Sequence, residues 1–523
     1  MSDIMKMADV NLQVLDKEGN SSVVRQDTLP KFSKDGRSDT VFERYINPTA
    51  IVNFGFTMQA AWECDAVLFQ ISLLNGGPAS LVYGSLLTGI GTIAVSTSLA
   101  ELASLDPIVG AQYRWSAVFA PFSPKFWGLF QGWITVWAWI TATAASTSYL
   151  ANVVIGLAKF NYPHFEPQRW NVTMCMIAFT IIPVVANFYF RRLITTLEMI
   201  GGIIHVIFFV FTIVVMVTLS ERSTTEFVFH ELWTGLSGWT NPGVSFSLGI
   251  LTVAFPITSF DGVLHMSDEV QDARTHVPRS MITAVVLNSF MQFGFCVALM
   301  YCMGDPERVT RSPTRLPILE VLYEATHSKP ATNFLLVMIA FVLFVSLFNI
   351  LASAARLTWA FARDNGLPFS KKFAYVHPTL KIPINALLLV GFIMCLLALI
   401  YIGSNTAFNA LISLPTIGLY MSYFIPILFI VIRKLQGRHP KYGPFKLGRW
   451  GLPINMLAMC YILYILAFVG FPTELPVTAD NMNYAGPLVV ALILLAIGDY
   501  FITGRKRFVV PTAPSSKDDD SAL

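Results

Sequence analysis

From about residue 48 to residue 505, blocks of apolar residues alternate with short polar or Pro/Gly-rich breaks. Runs such as IIHVIFFVFTIVVMVTL (203–219) and LLLVGFIMCLLALIYIG (387–403) approach the length of about 20 residues that a helix needs to cross the hydrocarbon core of a bilayer. Block length and interruptions together predict about twelve transmembrane helices. They lie near 50–75, 79–101, 126–157, 172–190, 196–219, 244–266, 281–303, 332–355, 384–403, 407–432, 452–472 and 485–503. The polar ends, 1–47 and 506–523, read as disordered cytosolic tails flanking a membrane domain at 48–505. The first 47 residues lack the compact apolar stretch of a secretory signal.

Composition supports the pattern. The chain of 523 residues is 54% hydrophobic and only 13% charged, with a mean hydropathy of +0.59, whereas soluble chains are typically about one quarter charged. That excludes an ordinary multidomain soluble enzyme. A net charge of +3 gives no reason to expect a nucleic-acid partner. All six cysteines fall in or beside apolar blocks, which argues for buried thiols rather than a disulfide framework.

The placement of charge sets the topology. If both tails are cytosolic, only Lys159, Arg169, Arg222, Arg308, Arg311, Arg315 and Lys329 face outside, which leaves 28 of the 35 Lys and Arg residues inside. Positive charge concentrates on the cytosolic side of membrane proteins, so the tails are expected inside. Small loops leave no room for a soluble catalytic domain. The chain has no Walker A pattern, no intramembrane His/Glu pair at metal spacing and no GxSxG turn. A transporter is therefore favoured over an enzyme, with no cofactor expected.

Candidate chemistry sits in two unusual spans. The first, FGFTMQAAWECDAVLFQ, carries Gln59, Glu63 and Asp65 near its centre, where one carboxylate costs about 2.5–3.5 kcal/mol on insertion scales. Residues two apart on a regular helix point about 200° from each other. Glu63 and Asp65 therefore cannot both face one cavity unless the helix breaks, and otherwise one is packed elsewhere in its neutral form. The sixth span holds Gly249, Pro256, Gly262 and Asp261. Interrupted spans at matching positions of two halves point to a transporter binding site, and a spacing of five spans suggests an inverted five-plus-five repeat. Repeat one would cover about 48–219 and repeat two about 244–432, with two further helices over 452–503.

The spans hold no Lys or Arg away from their ends. Buried carboxylates then must be protonated or must pair with something that arrives, which favours an amine-bearing solute, a co-transported proton, or both. Glu63, Asp65, Asp261 and His205 are the candidate proton carriers. Glu101, Glu198 and Asp499 lie near inner helix ends and suggest gating or solvated contacts. Trp133 and Trp137, one helical turn apart with Trp139 nearby, offer either ordinary packing or an aromatic face for an ammonium group.

Several motifs resemble the amino acid–polyamine–organocation superfamily, in particular its fungal amino acid/choline branch with GABA and choline permeases. They are LLNGGPASLVYG (73–84), ELASLDPIVGAQYRW (101–115), GWITVWAWITATAAS (132–146), FDGVLHMSDEV (260–270) with VPRS (277–280), and ARLTWAFARDNGLPFSKKFAYVHP (355–378). The resemblance implies a LeuT-like fold with broken helices one and six. The substrate would then lie between Met58–Asp65, including Gln59 and Trp62, and Phe255–Gly262, including Ser259, Phe260 and Asp261. Asn349 would add a helix-eight contact. The implied activity is plasma-membrane import of an amino acid, GABA or a choline-like amine by proton symport. An exchanger, an organellar carrier and a non-transporting sensor stay open as alternatives, as does the oligomeric state.

Overall fold

The computed structural model describes residues 12–15, 21–24 and 44–511, apart from 190, 311, 313, 315 and 480. Two short strands, β1 (Leu12–Leu15) and β2 (Ser21–Val24), pair antiparallel with Leu12 opposite Val24. Most of the expected tails, 1–43 apart from these strands and 512–523, lies outside the described residues.

Helix starts follow local chemistry. Asn47 accepts the Ala50 N–H at 2.9 Å ahead of Pro48, so an N-cap side chain and a proline lacking the donor open α1 (Pro48–Gln59). There follow α2 (Ala61–Leu68), α3 (Gln70–Leu74), α4 (Gly77–Leu105), α5 (Ala111–Phe119), α6 (Pro124–Asn161), α7 (Arg169–Tyr189), α8 (Arg191–Leu219) and α9 (Thr225–His230). Asn241 and Pro242 repeat the same start for α10 (Pro242–Ala254), and a 3-10 segment spans Phe260–Glu269. The chain continues through α11 (Ala273–Tyr301), α12 (Pro306–Thr310), α13 (Pro317–Thr326), α14 (Lys329–Arg363) and α15 (Ser370–Phe373). It ends in α16 (Ile384–Gly403), α17 (Asn405–Leu435), α18 (Gly451–Phe468), α19 (Ala485–Asp499) and, after a π turn, α20 (Arg505–Arg507).

Among the described residues, ten helices are long and apolar enough to cross a membrane. They match ten of the expected spans. The other two expected spans are broken: 50–75 is shared by α1, α2 and α3, and 244–266 by α10 and the 3-10 segment. The helix α4 has 72% of its most apolar stretch buried, against 11% for the last span. One helix is therefore enclosed by neighbours while the other presents its side chains outward, to lipid in a membrane protein.

Several helices outrun their apolar blocks. The helix α14 continues to Arg363 rather than stopping near 355 because its polar residues find partners: Arg356 Nε donates to Glu269 at 2.5 Å, and both side chains are buried. At the same end of the bundle, Lys434 meets Glu101 at 2.6 Å. Arg507 meets Asp499 at 2.6 Å, and Asp499 also accepts the Trp133 indole N–H at 2.9 Å.

The expected tail at 506–523 likewise begins later than its polarity suggests. Arg507 donates to the carbonyls of Asn365 and Gly366 at 3.0 and 2.7 Å, and the Val509 N–H reaches the Asp364 carbonyl at 3.0 Å. Phe508 is fully buried against Tyr113 and Phe361. Truncating a buried phenylalanine costs about 3–5 kcal/mol. Phe508→Ala is thus expected to lower the melting temperature of the detergent-solubilised protein clearly, whereas Val509→Ala, at an exposed position, should leave it nearly unchanged.

Candidate functional site

The two broken spans meet. After α1 the backbone of Ala60 turns left-handed (φ 40°, ψ 48°) before α2 begins, a conformation that costs a residue with a Cβ roughly 1–2 kcal/mol. After α10 the helix gives way at Phe255, and Ser259 (φ 65°) leads into the 3-10 segment. Pro256 helps, since it has no N–H to continue the ladder. Gln59 ties the two breaks together by donating its Nε2 to the Ile257 carbonyl at 2.6 Å. Asn288 of α11 supports the same spot, donating to Gln59 Oε1 and to the Phe56 carbonyl, both at 3.0 Å. Ser346 of α14 donates to the Met58 carbonyl at 2.6 Å, so carbonyls freed by the break are partly satisfied by side chains.

Between the breaks lies a cavity of about 30 Å³. A water molecule needs about 10–15 Å³ by this measure, so the space admits a couple of waters and no larger solute. Met58, Gln59 and Cys64 form one wall, and Phe255, Pro256, Thr258 and Ser259 face them. Ala142, Ser146 and Tyr149 of α6 and Leu343, Ser346 and Ile350 of α14 complete it. No charged side chain lines it. What it offers a ligand is hydroxyls, one thiol, two aromatic rings, Tyr149 and Phe255, in edge contact at 5.8 Å, and the ends of broken helices. Carbonyl-bearing C-terminal ends attract an ammonium group and N–H-bearing N-terminal ends attract a carboxylate.

Of the residues singled out from sequence, Met58, Gln59, Phe255, Pro256 and Ser259 reach this cavity. The others do not, each for a visible reason. Glu63 and Asp65 both sit on the regular helix α2 beyond the break, so their spacing turns them to different neighbours. Glu63 Oε1 lies 2.7 Å from His205 Nδ1 on α8, while Asp65 Oδ2 takes the Cys296 thiol of α11 at 3.7 Å. Trp62 packs among His205, Phe209 and Phe295. Phe260 packs on Tyr423. Asn349 Nδ2 donates to Thr57 Oγ1 at 2.9 Å, which cross-links α14 to α1. Trp137 borders a separate apolar crevice with Leu414 and Met421 of α17 and Val489 of α19.

Asp261 is a structural junction. Its Oδ1 accepts the Tyr423 hydroxyl at 2.5 Å. Its Oδ2 accepts Gln112 Nε2 at 2.6 Å and the Trp139 indole N–H at 3.1 Å, and lies 3.5 Å from His265 Nε2. One carboxylate thereby joins α5, α6, α17 and the 3-10 segment. Among the described residues no Lys or Arg pairs with Glu63, Asp65 or Asp261.

Sequence reasoning did not single out Ala142, Ser146 and Tyr149 of α6 or Leu343, Ser346 and Ile350 of α14 as lining a cavity. Their spacing held the signal: Ala142, Ser146 and Tyr149 recur at i, i+4 and i+7, as do Leu343, Ser346 and Ile350 at i, i+3 and i+7, and both patterns mark one helical face.

Comparison with known proteins places this geometry in context. A family model described as amino acid permease matches residues 51–494. A choline transporter of Saccharomyces cerevisiae is 30% identical over 461 residues, covering 88% of this chain and 81% of that protein. An amino-acid permease of Arabidopsis thaliana is 29% identical over 465 residues, covering 85% and 88% of the two chains. A polyamine transporter of S. cerevisiae is 27% identical over 480 residues, covering 90% and 76%.

Proposed function

This chain belongs to the amino acid permease family of the amino acid–polyamine–organocation superfamily, and we propose that it is a secondary active transporter importing a small amine-bearing solute by proton symport. The observation that carries the reading is the small, uncharged cavity between two helix breaks. Relatives along most of the chain are named transporters of choline and polyamines and an amino-acid permease, and what these solutes share is an amine or quaternary ammonium group.

In this reading the two broken segments are the first and sixth of twelve crossings, and the repeats at 48–219 and 244–432 form a LeuT-like pair with both termini cytosolic. The ammonium group rests against the carbonyl ends of α1 and α10 and the ring of Tyr149. A solute carboxylate, where present, turns to the N-terminal end of α2. The breaks at Ala60 and at 255–259 act as hinges. They open the cavity first to the outside and then to the cytosol of a cell whose plasma membrane holds the protein.

The test is uptake of labelled choline, GABA and a neutral amino acid mixture in permease-deficient yeast, with and without a protonophore. The reading expects protonophore-sensitive accumulation of at least one of them. No uptake of any, with the protein at the cell surface, contradicts it. Tyr149→Leu tests the aromatic wall. Losing a cation–π contact of about 0.5–2 kcal/mol should raise KM for the amine by about 2- to 30-fold, with surface abundance retained.

A further inference from the structure

We propose that Glu63 and His205 together form the binding site for the coupling proton, an inference that rests on the transporter reading above. The two side chains come from α2 and α8, their facing atoms are 2.7 Å apart, and both are fully buried. Phe56 covers the imidazole edge-on at 4.5 Å and Trp62 stacks at 6.4 Å. The outward-facing atoms, Glu63 Oε2 and His205 Nε2, have no hydrogen-bond partner.

Charge counting gives the pair its function. With a carboxylate and a neutral imidazole its net charge is −1. One added proton, which leaves one proton shared between Oε1 and Nδ1 and one on Nε2, makes it zero. An uncompensated buried charge costs several kcal/mol even after relaxation, so the fully buried position accommodates the loaded pair and disfavours the unloaded one. Other ionisable groups do not supply the missing charge. Asp65 turns to Cys296 of α11, and Cys64 and Tyr149 face the cavity. Glu198 lies two turns away on α8, where Asn53 donates to its carbonyl. Glu320 and Glu324 of α13 are engaged by Arg308, and Cys175 of α7 packs in a different cluster. The sequences of α1 and α10 contain no ionisable side chain, and α14 carries Lys and Arg only toward its ends.

Position supplies the coupling. Glu63 lies in the first turn of α2, three residues past the break at Ala60 and next to Cys64 in the cavity wall. A solute pressing on that wall moves the turn that holds Glu63 against α8. Closure around solute thus requires a proton taken from the outside. Opening to the cytosol wets the pair, stabilises its −1 state and releases the proton with the solute.

The experiment uses whichever of labelled choline, GABA or alanine the wild type accumulates, in yeast and in membrane vesicles, with Glu63→Gln, His205→Gln and Asp65→Asn at measured surface abundance. Expected for Glu63→Gln and His205→Gln is loss of protonophore-sensitive accumulation, to an internal-to-external ratio near one, while de-energised counterflow persists. Their initial rates should also lose the wild type's fall with rising external pH, about tenfold per pH unit above the apparent pKa for one titrating proton. Asp65→Asn should still accumulate solute.

Undiminished, protonophore-sensitive accumulation in both pair variants would overturn the proposal. So would loss of counterflow together with accumulation at normal surface levels, which marks a merely structural pair. Wild-type uptake insensitive to protonophore would overturn the proton site and the proton-symport part of the reading, and leave standing that the chain transports an amine-bearing solute. Absence of any wild-type uptake would overturn both.

Discussion

Asp261→Asn is expected to abolish transport and to reduce the folded protein at the cell surface. The native carboxylate accepts from Tyr423, Gln112 and Trp139, with His265 alongside. An asparagine keeps one acceptor oxygen and points an N–H₂ group at donors. At least one donor is then stranded in a fully buried site, and each such loss costs about 1–3 kcal/mol, more when the missing partner was charged. The loss also falls where four elements meet, so α6, α17 and the 3-10 segment lose their common anchor just below the cavity wall at Ser259. Surface abundance and melting temperature, measured together with uptake, check the expectation. Asp65→Asn is the control: its carboxylate meets the Cys296 thiol at 3.7 Å and has Gln292 of the same helix α11 as its other neighbour, so the change should cost less than at Asp261. Wild-type stability and uptake in Asp261→Asn would show that the junction is dispensable.

Ala142→Phe should bring uptake to the background of cells lacking the chain while the protein still folds. Its Cβ borders a cavity of about 30 Å³, which a phenyl ring more than fills. Overpacking of this kind typically costs about 1–3 kcal/mol, a burden that a large helical bundle tolerates better than the solute site does. Ser146→Ala, one turn along the same face, removes a hydroxyl without adding bulk and should leave much of the uptake intact. Equal loss in both variants at equal surface abundance would mean that this face of α6 serves packing rather than passage.

The span pattern was legible because burial in lipid demands long apolar runs, and the interruption of span six announced itself through Gly249, Pro256 and Gly262. The break in span one was signalled only through Gln59, Glu63 and Asp65 and through the family resemblance, and its position was not. It falls at Ala60, a residue with no helix-breaking signature, and the surrounding contacts from Gln59, Asn288 and Ser346 hold the strained turn. The opposed directions of Glu63 and Asp65 followed from helix geometry alone, yet which helix each would meet depended on tertiary packing. Asp261 and Trp137 show the same limit. A carboxylate and an indole in a span signal chemistry, and only their neighbours reveal that one is a junction and the other borders an apolar crevice. Helix lengths were underread wherever polar residues pair, as Arg356 does with Glu269, because a charge ends an apolar block without ending a helix.

These placements divide the acidic residues by task. Asp261 fixes helices to one another, Glu63 meets a histidine across a helix interface, and the cavity itself is left uncharged. On the proposed reading such a site recognises an ammonium group through carbonyls and rings, which suits solutes differing at their other end. The spread of substrates among the named relatives, choline, polyamines and amino acids, is in keeping with this.

The central claim, that an amine-bearing solute enters the cavity between the two breaks, is tested most directly at Cys64, the thiol in its wall. The measurement is the rate at which a small cationic thiol reagent modifies Cys64 in the intact protein, read by peptide mass spectrometry, with and without the transported solute. A solute that the protein does not transport, at the same concentration, serves as the reference. The account predicts that transported solute slows modification of Cys64 by about threefold or more, the occupancy expected near two to three times its Kd, and that the reference solute leaves the rate unchanged. A rate at Cys64 that does not respond to transported solute, or that responds equally to the reference solute, would contradict it.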